Sequence, residues 1–430
     1  MHALLLLLLV QDTRQVSEPV IPKSCVTLKA SSASIEEDKP DTARIQNALD
    51  KCPAGQAVEL TGKVFLAGPL QLRTGVTLLV GAGTTLYGSR NPRDYDLSPG
   101  SCGVVDKKGH GCKALISGDH VSGAAVMGEG TIDGRGGATL IGQKVSWWDL
   151  AQEAKVKNLN QSVPRLMALS HCDNFTLYKI TLHNSANFHV AYSGGNGFTA
   201  WGVIIYSPKT ARNTDGIDPG NAQNVTIKRC FIRTGDDNVA IKAGAPGPTG
   251  HMTIEDNHFY TGHGMSIGSE TDGGASAIRV TNLSIDGADN GIRIKSNSSR
   301  GGPVRDVVYE DVCIKDTKNP IYMDSNYSYM GEARDKLPSF ENIVLRDVRV
   351  LSAGKITLDG YDAAHRLGIT FDNVFLDVPG KITATHANIT EGEGGANFRA
   401  AGDDVHIVKH SGNAVRNTCE GKFVPFPGGN

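Results

Sequence analysis

The sequence predicts an all-β chain wound as a single-stranded, right-handed parallel β-helix, a solenoid with a short helix capping its amino-terminal end. Two observations predict it. The first is a recurring pattern, apolar-x-apolar-x-x-apolar-x-apolar, in which two alternating runs flank a bend. It is met at Phe175, Leu177, Ile180 and Leu182, at Phe198, Ala200, Val203 and Ile205, and at Val225, Ile227, Cys230 and Ile232. Met252, Ile254 and Phe259 repeat it with Asn257 in the third slot, and Leu283 with Ile285 read as the start of a degenerate copy. Val307, Tyr309, Val312 and Ile314 restore it, followed by Ile343, Leu345, Val348 and Val350, then Ile369, Phe371, Val374 and Leu376. Self-similarity at a period of roughly 20 to 50 residues marks units that bury their apolar faces by stacking. The second observation is a polar column: Asp215, Asp237, His263, Asn290 and Asn319 each stand two positions before an apolar strand start, at intervals of 22, 26, 27 and 29 residues. If one interval is one coil, neighbours in the column lie roughly 4.8 Å apart, the spacing of paired strands.

Taken in order, the elements fit that reading. Leu4 to Val10 is an apolar run too short to span a bilayer; it resembles the core of a secretory signal, without a preceding Lys or Arg. Residues 1–20 are therefore expected to be a signal remnant or a disordered terminus, and residues 21–430 one catalytic β-helix domain. Asp41 can cap a helix running to about Cys52, with Ile45, Ala48 and Leu49 on one face. Val64-Phe65-Leu66, Val76-Thr77-Leu78 and Thr85-Leu86 read as the first coils, and Ala124 to Asp133 as another. Almost no helical pattern is read after residue 60, which excludes a doubly wound α/β fold. A propeller would need about four strands per unit and a longer period, and a sandwich is the remaining rival.

A formal net charge of −2 argues against a nucleic-acid partner, and no segment could cross a membrane. The eight cysteines suit a secreted chain with bridges; spacing suggests Cys25 with Cys52 and Cys102 with Cys112, while Cys230 sits in an inward slot. No Cys-x-x-Cys occurs, so zinc is not expected, nor any other metal or cofactor.

The chemistry lies in the column. Cleaving a glycosidic bond takes one protonated carboxyl to serve the leaving oxygen and an ionised one to activate water or attack carbon. Asp215 and Asp237 share the column and can converge on one water. Asp236 precedes Asp237 and points elsewhere. His263 follows one coil later. Arg293 and Lys295 alternate with inward Ile292 and Ile294, so both project from one outer face and can hold an anionic sugar. A solvated turn or a Ca²⁺ site is the competing reading of the three aspartates.

Asn213-Thr214-Asp215, Gly235-Asp236-Asp237, Gly262-His263-Gly264 and Arg293-Ile294-Lys295, in this order on successive coils, resemble the four motifs of the polygalacturonases, glycoside hydrolase family 28. Gly130 to Gly136 followed by Trp147-Trp148, and Asn184 to Val190, are similar to further family segments, and the likeness runs from about Cys25 to residue 375. It implies Asp236 as general acid, Asp215 and Asp237 as holders of the attacking water, His263 in the active site, and Asn213, Arg293 and Lys295 on substrate. The reaction implied is inverting, endo-acting hydrolysis of α-1,4-linked polygalacturonan by a secreted monomer. Exo action, a rhamnogalacturonan hydrolase, a Ca²⁺-dependent pectate lyase and a non-catalytic polysaccharide-binding β-helix are the alternatives. One departure stands out: the family's substrate-contacting tyrosine would fall at Asn319, with Tyr322, Tyr327 and Tyr329 nearby.

Overall fold

A computed structural model describes residues 11–245, 247–327, 335–409 and 412–428. The Leu4 to Val10 run and Tyr329 lie outside the described residues. The fold is a right-handed parallel β-helix, and the coils fall into two compact units. One comprises Val16–Asp218 with Ile232–Asp236; the other comprises residues 11–15, Pro219–Phe231 and the chain from Asp237 onward.

In the amino-terminal unit each coil contributes three short strands. Ile116–Asp119, Met167–Ser170 and Val190–Ser193 form one parallel ladder, with Ile116 opposite Met167 and Met167 opposite Val190. Phe175 opposite Phe198 belongs to a second, and Ile132, Leu182 and Ile205 to a third. The register stacks like residues on like, so Phe175 and Phe198 lie ring on ring at 6.1 Å inside the coil.

The carboxy-terminal unit runs the first two runs of each repeat as one long bent strand: Thr249–Phe259, Ala275–Asp286, Pro303–Lys315 and Ser339–Val350. Met252 faces Ile278, Ile278 faces Val307, and Val307 faces Ile343. The copy read as degenerate is therefore complete: it begins at Ile278, with Val280, Leu283 and Ile285 filling the other slots, and Leu283 opens its second half. The bend is made by a left-handed residue at the second position of the paired x-x of the pattern, such as Asp256, Asn282, Asp311 and Asp347, with φ from 49° to 57°. Asn and Asp reach this region at least cost. Stacked coils then place these side chains on one another, and Asn282 Nδ2 donates to Asp256 Oδ1 at 2.8 Å. Asn257 in its apolar slot is fully buried yet satisfied, accepting from Cys230 N at 2.9 Å and donating to Ile227 O at 2.9 Å. Strands Lys381–Glu391 and Gly402–Lys409 extend the ladder past the last repeat read from sequence.

The expected capping helix spans Thr42–Lys51 and buries Ile45 and Leu49. Asp41 holds the cap position without a side-chain capping bond; its carboxylate takes Leu66 N at 3.3 Å and Arg44 at 2.7 Å instead. A second helix, Trp147–Lys157, is the one α-helix after residue 60 among the described residues, where almost none was expected. Ser146 and Asp149 form a capping box, and Trp147, Leu150, Ala151 and Ala154 make its buried stripe.

Cys25–Cys52 and Cys102–Cys112 are bonded as their spacing suggested, and Cys313–Cys419 adds a bridge not foreseen. Cys230 is buried and takes no part in these bridges. Residues 11–20, expected as a signal remnant or disordered terminus, are seated against the coils. Asp12 is buried and accepts from Thr226 Oγ1 at 2.8 Å in the carboxy-terminal unit. Glu18 accepts from Tyr178 at 2.6 Å in the amino-terminal one.

Candidate active site

In the amino-terminal unit the loop before strand Ile217–Gly220 carries Asn213 and Asp215. Asn213 adopts φ 55°, and its Oδ1 accepts from Gln161 at 3.0 Å. Thr214 is buried; its hydroxyl donates to Ala211 O at 2.7 Å and accepts from Gly235 N at 3.0 Å. That second bond fastens the turn carrying Asp236 directly to the loop carrying Asp215. Gly235 is required by the approach: a Cβ there would stand 2.1 Å from Ala211 O. Asp215 is buried, whereas Asp236 is partly exposed.

His189 fixes the Asp215 backbone. Its N donates to Asp215 O at 2.8 Å, its Nδ1 lies 3.0 Å from the same oxygen, and its Nε2 lies 3.1 Å from Ser207 Oγ. Burial pushes this imidazole down to about 4, so it is neutral and donates from Nδ1. His189 was not singled out from the sequence as a site residue, although it lies in the Asn184 to Val190 segment that was.

The carboxy-terminal unit holds the rest. Val239 faces Met265, Met265 faces Ile292 and Ile292 faces Ile321, so Asp237, His263, Asn290 and Asn319 keep the common register read from sequence. Asn238, fully buried, accepts from Gly264 N at 2.9 Å and donates to Thr261 O at 3.2 Å. It locks the start of the Asp237 strand onto the turn bearing His263. A ring nitrogen of His263 lies within 4.8 Å of an Asp237 carboxylate oxygen, and its Nε2 is 3.8 Å from Asp289 Oδ2.

Asp237 is almost wholly buried and accepts from Ser266 Oγ at 2.7 Å and Arg293 at 3.2 Å on Oδ1, and from Lys295 at 2.8 Å on Oδ2. Burial alone would raise this carboxyl. Lys295, then Arg293, His263 and Lys242 overcome it and hold the group well below the usual carboxylate range. Arg293 and Lys295 do share one face, as their alternation predicted, but they are not open to solvent: each is only 7% exposed. Ser266 was missed; its outward slot opposite Arg293 is its only sequence signal.

Tyr327 lies over both cations, 5.4 Å from Arg293 and 5.7 Å from Lys295. Tyr322 also approaches Arg293 at 5.7 Å, but its hydroxyl is committed to Asp324 at 2.6 Å. Of the described tyrosines near the Asn319 departure, Tyr327 is thus the one placed against both cations.

A testable consequence arises at Gly235. Gly235→Ala is expected to displace the Asp236 turn and cut turnover by about tenfold or more, on the scale of a 1 Å misplacement. Wild-type kcat in the folded variant would show that the close contact is not needed.

A model of the Glycosyl hydrolases family 28 matches residues 46–396 of the chain. The Endo-polygalacturonase of Pectobacterium parmentieri is 46% identical over 369 residues, which is 85% of this chain and 90% of that protein. The Polygalacturonase of Ralstonia nicotianae is 39% identical, over 96% of this chain and 92% of its own length. Among solved structures, a polygalacturonase from Erwinia carotovora ssp. carotovora superposes with a TM-score of 0.83 at 45% identity, over 88% of this chain and 100% of the other.

Proposed function

The chain belongs to glycoside hydrolase family 28, and from that premise we propose that it hydrolyses α-1,4-galacturonosidic bonds within polygalacturonan, with inversion. The observation that carries the reading is the Asp236-Asp237 pair: Asp237 is held ionised by two buried cations, and its neighbour Asp236 is the more exposed. An ionised carboxylate suits the water-holding role, which Asp237 shares with Asp215 in this reading. A carboxyl facing outward suits proton donation to the leaving oxygen, the role of Asp236. An inverting pair leaves room for the water by standing roughly 6.5 to 9.5 Å apart. Arg293 and Lys295 offer a substrate carboxylate the fork and the point charge that now rest on Asp237. In this reading His263, which lies beside Asp237, and Asn213 also serve the reaction. Three disulfides among the described residues fit an extracellular, oxidising setting, and among those residues no helix is long and apolar enough to cross a membrane.

The test is a time course of product sizes from polygalacturonate. A ladder of oligomers with new reducing ends and no unsaturated product is expected. Monomer or dimer alone would replace endo with exo action, and ultraviolet-absorbing unsaturated uronides would move the reaction to elimination. Dialysis against a chelator is expected to leave the rate unchanged. Asp237 already carries two cations, and a Ca²⁺ ion beside them would meet like charge. A several-hundred-fold loss restored by Ca²⁺ would reject the hydrolase reading.

A further inference from the structure

Away from the catalytic residues, the amino-terminal unit carries two imidazoles set one on the other. Strands Ile116–Asp119 and Met167–Ser170 lie in parallel register with Asp119 opposite Ser170, so the residues that follow them, His120 and His171, occupy equivalent places on neighbouring coils. Both adopt the left-handed backbone, with φ 52° and 50°, a region that histidine enters more readily than most residues. Their rings stack with centroids 4.6 Å apart and planes within 10°. Each Nδ1 is already engaged: that of His120 lies 2.9 Å from Asp119 Oδ1, and that of His171 lies 2.9 Å from Ser170 Oγ. The nitrogens with coordinating capacity to spare are therefore the two Nε2 atoms. On the next coil the ladder runs through Ser193 to Gly194, where a Cβ would stand 3.0 Å from His171 Nε2. Glycine keeps that nitrogen uncovered. Asp119 and His120 are 72% and 71% exposed, and the inward residues Ile116 and Met167 are already fully buried, so the two rings add nothing to the core.

We infer that His120 and His171 bind a divalent transition-metal ion of the Zn²⁺, Cu²⁺ and Ni²⁺ class through their Nε2 atoms, while Asp119 and Ser170 hold the rings by Nδ1. A carboxylate or hydroxyl on the far nitrogen is the usual means of fixing the tautomer and orientation of a ligating histidine. Imidazole suits these ions, whereas Ca²⁺ takes oxygen ligands. Metal–nitrogen distances of about 2.1 Å place two ligating nitrogens about 3.4 Å apart in a tetrahedral shell. Candidate ligand atoms of Asp119, His120 and His171 already lie within 4.8 Å of one another, and a tilt of two exposed rings closes the difference without moving the ladder. Water fills the remaining positions. An ion held in this way clips two successive coils together and stabilises the folded chain by mass action. It stands outside the reaction: His171 follows its strand, whereas His189, which holds the Asp215 backbone, precedes Val190–Ser193 at the opposite end of the same ladder. A rate insensitive to chelator is thus compatible with a metal on this face.

The test is calorimetric titration of the intact protein, stripped with chelator and dialysed, with ZnCl₂ at neutral pH. One equivalent is expected to bind, and CaCl₂ at the same concentration should not displace it. His120→Ala and His171→Ala change exposed side chains and should each weaken that equivalent by at least about tenfold, since losing even an outer partner of a metal ligand costs about 10- to 100-fold. Saturating zinc should raise the thermal midpoint of the wild type and leave that of either variant unmoved. Among the described residues the other cluster with metal-ligand spacing is Asp236, Asp237 and His263, so His263→Ala separates the two and should retain the equivalent. Absence of zinc binding by the wild type, full affinity in folded His120→Ala or His171→Ala, or loss of the equivalent in folded His263→Ala overturns the site. Zinc bound by the histidine pair without a rise in the midpoint overturns the clip.

Discussion

Asp236→Asn is expected to lower kcat on polygalacturonate by about 10²-fold or more, the scale of general acid catalysis, with KM and the folded state near wild type. The loss follows from chemistry rather than packing. Asp236 is partly exposed, on a turn fixed by the Gly235 N to Thr214 Oγ1 bond, which the substitution leaves in place. An amide keeps the shape and cannot donate a proton to a leaving oxygen. The pH profile of the wild type should be bell-shaped with its optimum on the acid side of neutrality, and the alkaline limb, which reports the acid's proton, should vanish in the variant. Lys295 and Arg293 hold Asp237 well below the usual carboxylate range, so in the proposed mechanism the donated proton is on Asp236. A folded Asp236→Asn protein that keeps more than a tenth of wild-type kcat would take Asp236 out of the acid role.

The column was legible because a parallel coil carries register from strand to strand. Once Ile292 and Ile321 are recognised as strand starts, Asn290 and Asn319 must stand opposite each other, and they do. What the alternation of Arg293 and Lys295 about Ile292 and Ile294 could not convey is reach. It says which face a side chain leaves from. It does not say that both cations extend back across 56 and 58 residues of chain to close on Asp237 beneath Tyr327. Ser266 and Asn238 were hidden for the same reason: each is an unremarkable polar residue until the coil places it against Asp237 or Gly264. The helix Trp147–Lys157 differs, since its signals were present in Ser146-x-x-Asp149 and the spacing of Trp147, Leu150, Ala151 and Ala154. A search for strand alternation passes over them. The copy misplaced at Leu283 has a similar origin. Glycine-rich sequence before Ala275 obscured its first half, and only the pairing of Met252 with Ile278 restores the frame. The seating of Asp12 and Glu18 on distant coils could not be anticipated, because their partners Thr226 and Tyr178 share no periodicity with them.

Asp237→Asn should produce a different and larger disturbance. If Asp237 holds the attacking water as proposed, removing its carboxylate is expected to cost about 10²- to 10⁴-fold in kcat. It also leaves Arg293 and Lys295, each 7% exposed, without their shared counter-ion. Breaking a buried pair from one side typically costs about 3–5 kcal/mol, so urea unfolding near pH 6 should show a clear loss. The sign of its pH dependence follows from the depressed carboxyl. Asp237 binds its proton less readily folded than unfolded, so the stability it contributes is full above the ordinary carboxylate pKa of about 3.9. It is lost as pH falls through the still lower folded value. The gap between wild type and variant should therefore be constant from neutrality to about pH 5 and shrink only on further acidification. Pairing the substitution with Lys295→Met separates charge balance from chemistry: removing one stranded cation should restore part of the stability and none of the turnover. If Asp237→Asn and the double variant unfold at the same urea concentration, the cations are not stranded by the loss of Asp237. If the double variant instead regains wild-type kcat, Asp237 does not hold the water.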